Sequence, residues 1–329
     1  MTFLNSAVIF VLFILIAAVG GGLYIYLTGR RSRSAESGAK PSGTLDGWPA
    51  GLANDQSFAD YAQSKFVEID GIKIHYFQEG RGTDILLVHG IGASTTNWAL
   101  VFHELTKTYR VTAIDLPGFG RSDKRLDVGY GLDEQAQRLA LFIRRLGLAQ
   151  THIVGHSMGG AIATWMAHEN PELVNKLLLI APALNRWIVA LHPSLLTWFM
   201  HATKTFIVNK NLIRWMYLKR VTYRPPKHIE QFVEAHHRPF ANSPEAVEAF
   251  WRHSYLLRDR RLPHGITDLK AETLILMGDH DKVFPARYLK PFLKNNSNIK
   301  LITIKDCGHL VMEEHPHEFL KLANEFFRE

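Results

Sequence analysis

Six short, almost uninterrupted apolar runs limit most strongly what this chain can become: DILLVHG (84–90), YRVTAID (109–115), THIVGH (151–156), NKLLLIAP (175–182), TLILMGD (273–279) and IKLITI (299–304). A strand with one face in water alternates apolar and polar residues, so runs apolar at nearly every position suit parallel strands buried on both faces. Between several of them apolar residues recur at helical spacing. In 133–148, Leu139, Phe142, Ile143 and Leu146 share one side, and 314–327 behaves similarly. This alternation predicts an α/β fold, a mostly parallel central sheet with helices on both faces. Ahead of it, KFVEIDGIKIHYFQEG (65–80) alternates about Asp70-Gly71, which predicts a hairpin. With 329 residues, 47% of them hydrophobic, the chain can bury one large core.

From Leu4 to Leu27 the sequence LNSAVIFVLFILIAAVGGGLYIYL holds 24 residues and no charge, and about 20 such residues cross the hydrocarbon core of a bilayer. The rival reading, a secretory signal peptide, calls for basic residues ahead of an apolar core of about 7–15 residues. Here Arg30, Arg31 and Arg33 follow the core. We therefore expect an uncleaved transmembrane anchor over residues 1–30 and, from its Ser, Gly, Ala, Asp and Pro content, a linker over 31–63. Tyr24 and Tyr26 fit an interfacial aromatic belt, and the positive-inside rule places the arginine flank, with the bulk of the chain, in the cytoplasm.

In IVGHSMGGAIATW (153–165) a serine stands between glycines where an apolar strand gives way to a helix. Gly155-His156-Ser157-Met158-Gly159 thus has the strand, sharp turn and helix of a nucleophile elbow. The crowded turn admits only glycine at Gly155 and Gly159, and the helix N-terminus favours a developing negative charge. A hydroxyl attacks poorly without an imidazole to take its proton, and the imidazole needs a carboxylate to hold its tautomer. His309 follows the last strand signal in DCGHLVMEEHP (306–316), while Asp279 and Asp281 both follow LILMG (274–278). Together with HGIG (89–92), DLPGFGRSD (115–123) and GDHDKVFP (278–285), these motifs resemble the α/β-hydrolase superfamily over roughly 66–327. The order Ser157, Asp281, His309 is the Ser, Asp, His order of that fold. The resemblance implies Asp281 rather than Asp279 as the acid. It also implies an oxyanion hole formed by the backbone N–H groups of Ile91 and Met158. His89 and Gly90 should shape the first of these loops and residues 115–120 brace it. Related dehalogenases and epoxide hydrolases carry aspartate at the elbow, so serine argues against those reactions.

The core is expected over 64–183 and 269–329, with a helical cap inserted at 184–268. The cap is rich in aromatics and holds much of the positive charge. Residues 186–261 contain 13 Lys and Arg against 5 Asp and Glu, while the whole chain carries +7. A basic cap beside an anchor suits anionic lipid headgroups as partners. No nucleic-acid recognition motif appears. The single cysteine, Cys307, excludes an internal disulfide and a multi-cysteine zinc site. We expect no cofactor and no metal. The resemblance implies a membrane-anchored serine hydrolase of carboxylic esters, similar to monoacylglycerol lipases and esterases, with a small-molecule or lipid ester as substrate. Thioesterase, carbon–carbon bond hydrolase and perhydrolase activities remain as alternatives.

Overall fold

The structure is a computed structural model and describes residues 63–148, 150–184, 209–224, 229–257, 259, 261–293 and 296–328. The expected anchor (1–30), the expected linker except Gln63, and residues 185–208 of the expected cap lie outside the described residues. Among the described residues no helix is long and apolar enough to cross a membrane.

Strands β1 (Ser64–Ile69), β2 (Ile72–Glu79), β3 (Asp84–Val88), β4 (Arg110–Ile114), β5 (Thr151–His156), β6 (Val174–Ile180), β7 (Glu272–Gly278) and β8 (Ile299–Ile304) form one sheet, in the order β1-β2-β4-β3-β5-β6-β7-β8. β1 and β2 are the expected hairpin, turning at Asp70 and Gly71, whose φ values of 52° and 68° suit a tight two-residue turn. β2 pairs antiparallel with β4, and all later pairings are parallel. The six apolar runs are the six parallel strands. Position in the sheet then decides burial: β5 is buried throughout, whereas β8, at the edge, leaves Lys300 and Thr303 exposed.

The helices are α1 (Phe102–Thr106), α2 (Leu132–Arg145), α3 (Met158–Glu169), α4 (Lys210–Met216), α5 (Ile229–Ala241), α6 (Pro244–Leu256), α7 (Leu262–Thr267), α8 (Lys290–Leu293), α9 (Val311–Glu314) and α10 (Pro316–Arg328). On β5, His152 stacks on Phe327 of α10 at 4.6 Å, while a Cβ on Gly155 would lie 2.7 Å from Gly160 of α3. These two strand positions are an odd number of residues apart and so point to opposite faces. α3 and α10 therefore cover opposite sides of the sheet, and both faces are buried as the apolar runs require. α10 buries Phe319, Ala323, Phe326 and Phe327, one helical stripe.

β3 lies between β4 and β5, so the chain leaves it in one direction and later returns on the other side. Such a reversal opens a crevice beyond the C-terminal strand ends. Across that end lies the described part of the cap. Phe250 of α6 would sit 3.1 Å from a Cβ on Gly92, and Ala249 would sit 2.9 Å from one on Gly118. One boundary differs from expectation. α7, placed within the cap by sequence, packs against the core, with Gly265 only 3.0 Å, at its would-be Cβ, from Trp165 of α3. Its Gly-containing sequence and the preceding loop hid this, since a short helix carries no signal of which layer it joins.

Candidate active site

β5 runs directly into Ser157, whose φ of 52° and ψ of −117° lie in a region that L-residues avoid. Such a conformation costs on the order of 1–3 kcal/mol and persists only where its surroundings enforce it. Here the Ser157 N–H donates to Ile180 O (2.9 Å), and Ser157 O accepts from Ala161 N–H (3.1 Å) and Ala183 N–H (3.0 Å). The glycines are dictated by space. A Cβ on Gly159 would collide with the carbonyl oxygens of Val88 and His89, and one on Gly155 would press on α3. Because the first helical hydrogen bond is the one from Ala161, the Met158 N–H has no intrahelical acceptor.

His309 stands in the loop between β8 and α9. Its Nδ1 lies 2.8 Å from Asp281 Oδ2, with both side chains buried. Asp281 Oδ1 accepts from the N–H groups of Val283 (2.7 Å) and Phe284 (2.8 Å), which aims the carboxylate. Burial works to raise the Asp281 carboxyl. The charge and hydrogen bond of His309 and these two N–H groups outweigh it and hold the carboxyl below the ordinary range. The two aspartates of the loop are thereby separated by geometry: Asp279 instead accepts from Cys307 N–H at 3.2 Å and braces the backbone next to His309. With Nδ1 directed to Asp281, Nε2 is the nitrogen left for a substrate-side proton. The His309 ring lies 4.9 Å from that of His156, the residue before Ser157. No hydrogen bond joins Ser157 Oγ to His309 here, and such contacts tighten when substrate binds.

Ile91 follows β3. A Cβ on neighbouring Gly90 would lie 3.1 Å from Ser157 Cβ, so this loop passes directly over the serine. His89 fixes the loop: its Nδ1 donates to Gly90 O (2.7 Å) and its Nε2 accepts from Leu116 N–H (3.0 Å), which makes it the neutral Nδ1–H tautomer. Burial lowers its pKa despite the nearby Asp115 charge. Buried Asp115 accepts from the N–H groups of Thr95 (2.7 Å) and Arg121 (2.9 Å) and from His75 Nδ1 (2.7 Å), tying the loops after β3 and β4 together.

Two glutamates following His309 are absent from the sequence reading. Glu314 Oε1 accepts from Gly308 N–H (3.0 Å) and Leu310 N–H (3.3 Å), while its Oε2 accepts from Tyr223 N–H (2.7 Å) and Arg224 N–H (3.3 Å) of the cap. The His309 N–H donates to Val221 O (2.7 Å). A strap of cap backbone is thus tied to the histidine loop from both sides. Glu313 is buried and its side chain meets only Asn97 Nδ2 (2.8 Å). Burial, reinforced by the charge of Glu314, pushes its carboxyl well above the usual range. Both residues stand in the motif DCGHLVMEEHP, but partners 91 and 216 positions away leave no local trace. Among the described residues no group of three or more His, Cys, Asp or Glu is placed to hold a metal.

Residues 84–316 match the model of the alpha/beta hydrolase fold family. The chain belongs to this family. A 2-hydroxy-6-oxo-6-(2'-aminophenyl)hexa-2,4-dienoic acid hydrolase from Metapseudomonas resinovorans is 28% identical over 283 residues, covering 83% of this chain and 93% of that enzyme. A dihydrolipoyllysine-residue acetyltransferase component of an acetoin cleaving system from Cupriavidus necator is 37% identical over 135 residues, and the chain spans only 35% of that protein's length. The crystal structure of a membrane phospholipase A, a bacterial virulence factor, superposes with a TM-score of 0.69 at 26% identity, covering 98% of both chains. The protein is a hydrolase of this fold.

Proposed function

We propose that this hydrolase cleaves carboxylic esters of lipids at a membrane, through Ser157, His309 and Asp281. The observation that carries the reading is the strained Ser157 at the head of α3, set beside a buried His309–Asp281 pair 2.8 Å long. Ser157 Oγ attacks the ester carbonyl while His309 Nε2 takes its proton. The N–H groups of Met158 and Ile91 receive the oxyanion. His309 then protonates the departing alcohol, and Asp281 stabilises the imidazolium in between. Water, activated by the same histidine, releases the acid.

Carbon–carbon bond hydrolysis is the second reading, favoured by the Metapseudomonas relative. A dienoic acid brings a carboxylate, which a buried site must meet with a cation or several N–H donors. The described side chains beside the triad are instead aromatic: Phe250 lies over Gly92 and Phe284 lies beside His309. An uncharged ester suits such neighbours. The likeness to a membrane phospholipase A along 98% of the chain, the uncharged stretch 4–27 and the basic cap support a lipid substrate and an anchor with the catalytic domain on the cytoplasmic side. A cap of this size favours single-chain esters over triglycerides. Purified full-length protein should hydrolyse p-nitrophenyl butyrate and monoacylglycerols, faster than triolein, and Ser157→Ala should abolish turnover. Faster conversion of a 2-hydroxy-6-oxodienoate than of any ester would establish the second reading instead.

A further inference from the structure

The described surface exposes large apolar side chains sparingly, except on one stretch of the cap. Trp215 (40%), Met216 (40%), Leu218 (37%) and Tyr223 (39%) fall within residues 215–223, whereas Phe66, Leu126 and Tyr255 stand apart in sequence. The stretch is α4 and the wider turn that continues it, Tyr217–Val221. Its inner side is occupied: the Tyr217 ring packs on Phe232 at 4.5 Å and on His236 at 4.9 Å of α5. Trp215 and Leu218 flank Tyr217 in sequence and stay partly exposed.

Charge accompanies the exposed rings. Residues 209–224 carry Lys210, Arg214, Lys219, Arg220 and Arg224 and no Asp or Glu. Lys210 pairs with Glu234, Arg214 with Glu230 and Arg224 with Asp306, while Lys219 is exposed beside Leu218. Tryptophan and tyrosine favour the headgroup level of a bilayer, leucine and methionine the acyl boundary beneath it, and lysine and arginine the anionic phosphates. A linker of about 30 residues behind an anchor would hold the domain at roughly 30 Å, close enough for such a face to touch the same bilayer.

We propose that the outer face of α4 and the following turn, centred on Trp215, Met216, Leu218 and Lys219, docks on an anionic lipid bilayer. This rests on the reading of the protein as a lipid-ester hydrolase and deepens it, because the docking face continues into the strap that holds the catalytic loops. Val221 O receives the His309 N–H, and Tyr223 stacks on His280, next to Asp281, at 4.0 Å. Docking there brings the strap, and the histidine loop tied to it, close to the lipid.

The test uses the full chain in vesicles of phosphatidylcholine alone or with phosphatidylglycerol, labelled with an environment-sensitive fluorophore at Leu218→Cys or, as a control, at exposed Leu126→Cys. The native Cys307 is buried. The label at 218 should shift to the blue and be quenched by lipid-borne nitroxide, more strongly with phosphatidylglycerol, while the label at 126 should not. The triple variant Trp215→Ser, Leu218→Ser, Lys219→Glu should lose at least fivefold of its monoacylglycerol hydrolysis on anionic vesicles and keep its p-nitrophenyl butyrate turnover in detergent. Equal environments at 218 and 126 would overturn the proposal. So would shielding of 218 that persists in detergent, which would mean that another segment of this chain or a second copy covers the face. Lipid contact at 218 in a protein without esterase activity would instead sink the proposed function and leave the docking intact.

Discussion

Asp279 and Asp281 are two residues apart on one loop, and sequence alone makes both of them candidates for the same role. Geometry separates them. Asp281 is buried against His309 Nδ1, while Asp279 is exposed and bonds a backbone N–H. Asp281→Asn should therefore lower turnover by about 10⁴-fold, because the amide favours the wrong imidazole tautomer. Asp279→Asn should cost less than tenfold. Steady-state kinetics on p-nitrophenyl butyrate decides, and the reverse ranking would reassign the acid. Glu313 behaves in the opposite electrostatic sense. Its folded pKa lies above its unfolded value, so its stabilising contribution is complete below the unfolded value of about 4.3 and is lost as pH rises through the folded one. Glutamine is the neutral isostere of the protonated side chain and can pair with the Asn97 amide. Glu313→Gln should leave Tm near wild type at pH 4 and raise it at pH 8. A lower Tm at both pH values would show that the carboxyl itself is required. Neither Asn97 nor Glu313 could be singled out from sequence, since a buried asparagine and a helix-terminal glutamate look ordinary until a contact 216 positions apart joins them.

Elements were legible where burial imposes a period on the residues. The parallel strands, α2, α10 and the hairpin all appear near their expected places, because a strand covered on both faces must be apolar throughout and a covering helix must be apolar on one stripe. The strap between cap and histidine loop was not legible. It is made by backbone groups of Val221, Tyr223 and Arg224, and backbone carries no sequence signal. Its one trace is Gly308. A Cβ there would lie 2.5 Å from Val221 O and 2.7 Å from Tyr223 N, so the strap can approach only a glycine. Gly308→Ala must push strap or loop aside and displace His309 with it. An ångström of misplacement costs on the order of 10²-fold in rate. We expect kcat on p-nitrophenyl butyrate to fall by about that factor, with KM within threefold and cooperative thermal unfolding retained. An unchanged kcat would show that the histidine loop holds its position without the cap.

At the scale of the whole molecule, the chemistry and the proposed anchoring reside in separate parts of the chain. Every group placed at the site lies between His75 and Glu314, whereas the uncharged stretch ends at Leu27. Deleting Met1 to Arg33 should release a protein that alkaline carbonate extracts from membranes, with turnover on short water-soluble esters within twofold of the full chain. A large loss on such esters would mean that the N-terminal segment contributes to the active site itself. The sequence by itself determined the order of strands and helices and singled out Ser157 and His309 as candidates, since each of these follows from a local pattern: an apolar run, a glycine-flanked serine, a polar residue just past a strand end. Only the tertiary structure decided which aspartate meets His309, where the cap ends and α7 joins the core, and which acids brace the loops. Those outcomes depend on distances between residues far apart in the chain, and a distance of that kind exists only once the sheet has brought its strand ends together.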